Sequence, residues 1–263
     1  MPYSASELIS MVRDQAGERE TSTPPVRMLA WLNEVYRDFT TQAKVLRGSF
    51  CPGALEASGR YPLNQMYPVR TALSGTMELG GPNTDFGPYQ LIPEAIYEVT
   101  WDRWGGSYTR ERRVDRATDK DWLRWTGGEH SSRNTANQPS FWCMEYGPSG
   151  AQAFMNYARL WPPRLTTALG TASVTGATLE FRAARYPLEL VVASPSSSQS
   201  SSLECDNEFA DTIVYGVLAK HYRSKTMPEQ ASDYEQRYYA KREEAKKKIT
   251  HRFRGGRPRL WNF

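Results

Sequence analysis

Four arginines and three large aromatics crowd the last thirteen residues, His-Arg-Phe-Arg-Gly-Gly-Arg-Pro-Arg-Leu-Trp-Asn-Phe, 251–263. The stretch has no helical period and is too short to build a core. Its chemistry is that of binding. Arginines suit carboxylates or phosphates, and aromatics fill grooves or stack. From Lys241 to Phe263 there are nine Lys/Arg against two Glu, a balance of +7, so the other 240 residues sum to −3 of the total +4. The basicity belongs to the end of the chain. One reading is a solvated helix face with a loose tail. The sharper one is an arm for an acidic partner, either nucleic acid or an acidic protein groove.

Residue types that do catalysis are scattered. His130, His221 and His251 fall in a polar loop, on a helix and in the tail. Cys51, Cys143 and Cys205 are odd in number, with no metal spacing and no disulfide framework, as in a protein made in a reducing cytosol. Asp115, Asp119 and Asp121, beside Trp122, form the one close group of carboxylates. Paired acids serve a hydrolase and oxygen clusters hold cations, but this spacing fits no calcium loop and solvated loop acids are far commoner. Gly80-Gly81-Pro82 lacks the Lys-Ser/Thr of a phosphate loop and reads as a turn. The sequence therefore predicts no catalytic set, no metal site and no cofactor.

The elements that would position the tail are two helices. One runs from near Asp206 to about Ser224, with Ala210, Ile213, Val214, Val217, Leu218 and His221 along a stripe. Thr226-Met227-Pro228 breaks it. Thr226 caps the next, which runs from about Pro228 to Thr250 with Ala231, Tyr234, Tyr238, Ala245 and Ile249 on one side. The two would be about 28 and 34 Å long. At the other end, Ser4-Ala5-Ser6-Glu7 has capping-box form and opens a short helix that stops near Gly17. A longer helix follows from about Pro24 to Leu46, with Leu29, Leu32, Tyr36, Phe39, Ala43 and Leu46 on one face and Val26 and Val35 beside them.

Between Arg47 and Ser202 glycine and proline recur at short intervals and apolar residues alternate, as in an antiparallel sandwich or barrel. Residues 105–137 are polar and poor in strand formers, and Ser194–Ser202 is low in complexity and reads as flexible. No run of eighteen apolar residues and no secretory signal is present. The expected fold class is α+β. N- and C-terminal helices (1–46 and 203–250) form a bundle, a β-rich domain (47–202) is inserted into it, and an extended tail (251–263) follows. Neither amphipathic end could bury its stripe alone.

This layout resembles the tailed-phage head–tail adaptors, the connector proteins that dock beneath the portal. Four places carry the resemblance. Ala30-Trp31-Leu32-Asn33-Glu34-Val35-Tyr36-Arg37-Asp38-Phe39 is similar to the family's first long helix. The passage Tyr89–Val99 looks like its strand–Pro–strand segment, and Leu160–Pro163 with Leu179–Pro187 like its paired β elements. Glu208-Phe209-Ala210-Asp211, followed by a second helix with tyrosines and Lys/Glu runs, matches its C-terminal helix pair. Residues 105–137 and the Ser-rich loop have no counterpart.

The resemblance implies a structural, non-enzymatic virion protein at the head–tail junction, made in the host cytoplasm. It would form a homo-oligomeric, twelve-fold ring under the portal protein, extend the DNA channel and offer a platform to a tail or nozzle protein below. No membrane is involved. It further implies that the tail clasps the portal, with Arg252, Arg254, Arg257 and Arg259 pairing with carboxylates or carbonyls and Phe253, Trp261 and Phe263 anchoring in apolar grooves. Two alternatives stay open. One is nucleic-acid binding through the basic C-terminus. The other is a virion-associated cell-wall hydrolase using Asp115, Asp119 or Asp121.

Overall fold

Ser4 and Glu7 open the first helix by satisfying each other's backbone. The Ser4 hydroxyl accepts from the Glu7 N–H at 3.2 Å and the Glu7 carboxylate accepts from the Ser4 N–H at 2.7 Å. In the computed structural model, which describes residues 2–17, 23–54, 60–62, 66–67, 89–102, 112–118, 141–149, 153–161, 178–192, 195 and 199–254, this helix, α1, spans Ala5–Ala16. It ends where Gly17 takes the left-handed conformation, φ 64°, with its N–H turned back to Arg13 and Asp14. Helix α2, Pro25–Ala43, starts on a proline, whose missing N–H has no helical partner there, and is closed by left-handed Lys44. Helix α3 spans Ala210–Ser224 behind a short 3-10 turn at Asn207–Phe209, and α4 spans Pro228–Arg254.

The described residues fall into two units. One comprises 2–46 with 185–254, the other lies within 47–184. In the first, the four helices share one core. Leu8, Met28, Leu32, Tyr36, Phe39, Ile213, Val214 and Leu218 are essentially inaccessible. Helix α3 touches α1, α2 and α4.

The buried stripe of α2 sits rotated from the expected one. Met28, Leu32, Val35, Tyr36 and Phe39 point inward, Leu29 is half-buried, and Val26 is 79% exposed. The helix also stops three residues early, because Lys44 turns the chain. At the corner between α3 and α4, Thr226 does not cap the second helix. It closes the first. With φ 58° it donates its N–H to the Arg223 carbonyl at 3.2 Å, and the Met227 N–H reaches the Tyr222 carbonyl at 3.0 Å. That pair of bonds is a Schellman motif, with a β-branched residue where glycine is usual. The Met227 carbonyl then accepts from Ala231 and starts α4. Helix α4 runs four residues past Thr250, so His251, Arg252, Phe253 and Arg254 belong to it.

Part of the Ser-rich stretch is ordered, against expectation. Strand β9 (Glu189–Leu190) pairs in parallel with β10 (Gln199–Ser200). The Ser201 carbonyl accepts from Ala5 and the Leu203 N–H donates to Tyr3, both at 2.9 Å. Residues 199–203 are thus tied to the start of α1.

The second unit holds one eight-stranded sheet. Its strands are β1 (Arg47–Ala54), β2 (Arg60–Pro62), β3 (Met66–Tyr67), β4 (Tyr89–Asp102), β5 (Arg112–Arg116), β6 (Phe141–Ser149), β7 (Ala153–Trp161) and β8 (Thr178–Arg185). The spatial order is β1-β8-β4-β5-β6-β7-β2, with β3 alongside β4. Register sets apolar residues opposite one another: Phe50 faces Phe181, Val99 faces Val114, and Trp142 faces Leu160. These six residues, with Leu91, Ile96, Ala158 and Ala183, form its core.

The expected purely antiparallel sheet needs correcting. β5 and β6 run parallel, so the sheet is mixed and the class is α+β. Residues 117–140 supply the long connection that a parallel pair requires. The outermost strands are poor templates for a further strand. β1 carries Pro52 and a register shift between Phe50 and Gly53, and β2 is three residues ending in proline.

Candidate interaction surface on the C-terminal helices

The residues with binding chemistry sit on α4 and its extension. Arg252, Phe253 and Arg254 form the last turn of α4. Arg257, Arg259, Trp261 and Phe263 lie outside the described residues, as do Asp119, Asp121 and His130. Asp115 is exposed on β5. The structure therefore places one member of the acidic trio in solvent. His221 is buried in the helical core, with its ring edge-on to Trp31 at 6.3 Å and to Tyr222 at 5.3 Å. Cys143 and Cys205 are buried and form no disulfide. Among the described residues no group of three His, Cys, Asp or Glu side chains is arranged to hold a metal ion.

One face of α4 is apolar and narrow. Ala231, Tyr238, Ala245 and Ile249 are buried, with Tyr234 stacked on Tyr222 at 5.4 Å. The rest is charged, but the charges compensate one another. Arg237 pairs with Asp233 at 2.8 Å, Lys241 with Glu244 at 3.2 Å and Lys246 with Glu243 at 3.7 Å. Lys248 reaches Glu244 at 3.2 Å and Glu208 at 3.8 Å, and Arg242 reaches Asp38 at 3.0 Å. Hydrogen bonds from Lys248 and Lys241 hold the Glu244 carboxyl below the usual range.

Exposed pairs of this kind contribute little stability, about 0–1 kcal/mol each. Their consequence is electrostatic. Asp38 and Glu208, which a count along the sequence leaves out, join Arg242 and Lys248 of α4 through tertiary contact. A helix whose lysines are paired is a weak competitor for phosphates, since binding there would have to break the pairs.

Three positioning groups give no local signal in the sequence. Asn33 on α2 acts as a substitute strand. Its Oδ1 accepts from the Leu190 N–H at 2.7 Å and its Nδ2 donates to the Leu190 carbonyl at 2.9 Å, which satisfies both backbone groups of a β9 residue. Glu204 receives Arg185 through both guanidinium arms, at 2.8 and 3.2 Å, and the Leu188 N–H at 2.7 Å, while its own N–H donates to the Tyr36 hydroxyl at 2.9 Å. Burial, then the neighbouring Cys205 and Glu204, pushes the Tyr36 hydroxyl well above its ordinary pKa, and burial lifts the Cys205 thiol to about 12. Third, Asp38 accepts from both Tyr238 and Arg242. Apart from the bonds of Arg185 and Leu188 to Glu204, 19 and 16 positions away, the acceptors lie from 157 to 204 positions from their donors along the chain. Only the packed helices reveal them.

The chain belongs to the SU10 adaptor protein family, whose model matches residues 3–259. It is accordingly a phage adaptor of the head–tail class, a structural protein of the virion. No curated protein matches the chain. No helix among the described residues is long and apolar enough to cross a membrane.

Proposed function

We propose that the protein assembles as a twelve-fold ring beneath the portal, extends the DNA channel there, and offers its opposite side to a tail or nozzle protein. Its own contribution to docking is the C-terminal segment. Arg252, Arg254, Arg257 and Arg259 meet acidic side chains or carbonyls of the portal. Phe253, Trp261 and Phe263 fill apolar grooves as anchors. Gly255 and Gly256 let the segment turn, and Pro258 reduces the entropy lost when it orders. A head-to-tail contact repeated about an axis closes a ring.

The observation that carries this reading is the separation of charge along the C-terminus. Three of the four lysines of α4, Lys241, Lys246 and Lys248, and also Arg242 are engaged by Glu244, Glu243, Glu208 and Asp38, and four arginines follow them in the sequence among aromatics. The family match, which runs to residue 259, takes in all four arginines. A protein that bound nucleic acid through its basic end would be expected to leave the α4 lysines open as well.

Deleting residues 251–263 tests the assignment. The truncated protein should fold, since α4 keeps its buried residues Ala231, Tyr238, Ala245 and Ile249, and it should no longer bind the portal ring of its phage. Electron microscopy of the mixture should show a collar with the intact chain and none with the truncated one. Undiminished binding by the truncated protein would refute docking through this segment.

A further inference from the structure

One carboxylate on α2 holds α4 at the point from which the C-terminal segment departs. Asp38 Oδ2 accepts from the Tyr238 hydroxyl at 2.6 Å and from Arg242 Nη1 at 3.0 Å. The Arg242 guanidinium also lies over the rings of Tyr238, at 5.6 Å, and Tyr239, at 4.9 Å. Two side chains of α4, four positions apart, converge on one oxygen of α2. The Tyr238 ring packs against α3 where Gly216 carries no Cβ; an added Cβ would lie 3.1 Å from Tyr238 Cδ2 and 2.5 Å from Val35 Cγ1. Helices α2, α3 and α4 therefore meet at this level.

The contact is poorly placed to serve stability alone. Asp38 is half-exposed and Arg242 pairs with it at the rim, where ion pairs are screened. It is well placed to fix geometry. A slip of α4 by one residue, about 1.5 Å with a turn of about 100°, would take both donors off the same oxygen. Arg252 lies ten residues beyond Arg242 along the same helix. A rotational error at residue 242 is carried to the arginine segment.

We propose that Asp38 is a positioning residue. With Tyr238 and Arg242 it sets the axial and rotational registration of α4, so that residues 251–263 leave from a fixed place and orientation. The inference rests on the docking role of that segment. A segment launched in the correct direction loses less freedom on binding than one on a swivelling helix.

The test compares Asp38→Ala and the milder Asp38→Asn with the natural chain, using two readouts. Hydrogen exchange should quicken at the amides of residues 243–254 in Asp38→Ala while those of α3 keep their protection. Affinity for the portal ring should fall about ten-fold, the size of one lost preorganising constraint. Asp38→Asn, which keeps an acceptor for Tyr238, should fall between. A synthetic peptide of residues 251–263 should give the same inhibition constant against every variant.

Unchanged exchange in residues 243–254, or undiminished portal affinity with α4 loosened, would overturn the proposal. So would loss of protection in α3 to the same degree, since Asp38 would then simply stabilise the fold. If deletion of 251–263 left binding intact, the docking reading would fall by itself, and the exchange data would still decide whether Asp38 registers α4.

Discussion

Helices α3 and α4 are consecutive, long and joined by a tight corner, yet they face opposite solvents. Nine of the fifteen residues of α3 are buried, Thr212, Gly216 and His221 among them. The helix is enclosed because α1, α2 and α4 all pack on it. Helix α4 buries a single line and leaves ion pairs on its other sides. The two divide the work. The inner helix holds the unit together, and the outer one presents charged side chains on its open sides. The same argument explains why α4 tolerates so polar a composition: its stability comes from docking on α3.

Substitutions in α3 should break this comparison most strongly. Leu218→Ala removes a side chain with no exposure and should cost about 2–5 kcal/mol in urea unfolding. Gly216→Val should cost about 1–3 kcal/mol, because its branched side chain has to displace Val35 and Tyr238. A loss far below 1 kcal/mol would mean that the three helices do not meet tightly at that level.

Raised pH sharpens the comparison. The fold keeps Cys205, Tyr36 and Tyr238 neutral by burial, the last aided by its bond to Asp38, so each has a folded pKa above its unfolded one. The stability they contribute is fully present below the unfolded values, near 9.0 for the thiol and 10.0 for the phenols, and is lost as pH rises through the folded ones. The urea midpoint should therefore fall from pH 9.0 toward about 12, and Cys205→Ala should flatten the first part of that decline. The smallest effect belongs to the outside of α4. Lys247→Gln, at an exposed position, should change stability by less than about 0.5 kcal/mol.

Much of the helical unit is legible in the primary structure because its signals are local. The capping box at Ser4 and Glu7, the stop at Gly17, and the stripes Ala210–His221 and Ala231–Ile249 each depend on residues a few positions apart. The errors fall where a distant partner decides. Met28 displaces Leu29 and Val26 from the buried face of α2 because the core chooses the rotation of the helix. Thr226 closes α3 when it could equally have opened α4. Residues 199–203 look like a loose linker until Glu189–Leu190, Tyr3 and Ala5 are placed beside them. A parallel pair within a mixed sheet leaves no mark on either strand's own pattern, so the pairing of β5 with β6 is decided by the fold.

By itself the sequence determined the α+β class, the helix pairs at either end and the arginine–aromatic composition of the last residues, since periodicity, caps and composition are properties of short segments. Tertiary structure alone decided which cations of α4 meet acids from distant parts of the chain. The nine cations from Lys241 onward read as one basic run until Asp38 and Glu208 arrive from elsewhere in the chain. Coulomb attraction depends on distance in space, and folding brings groups 204 positions apart, Asp38 and Arg242, to 3.0 Å.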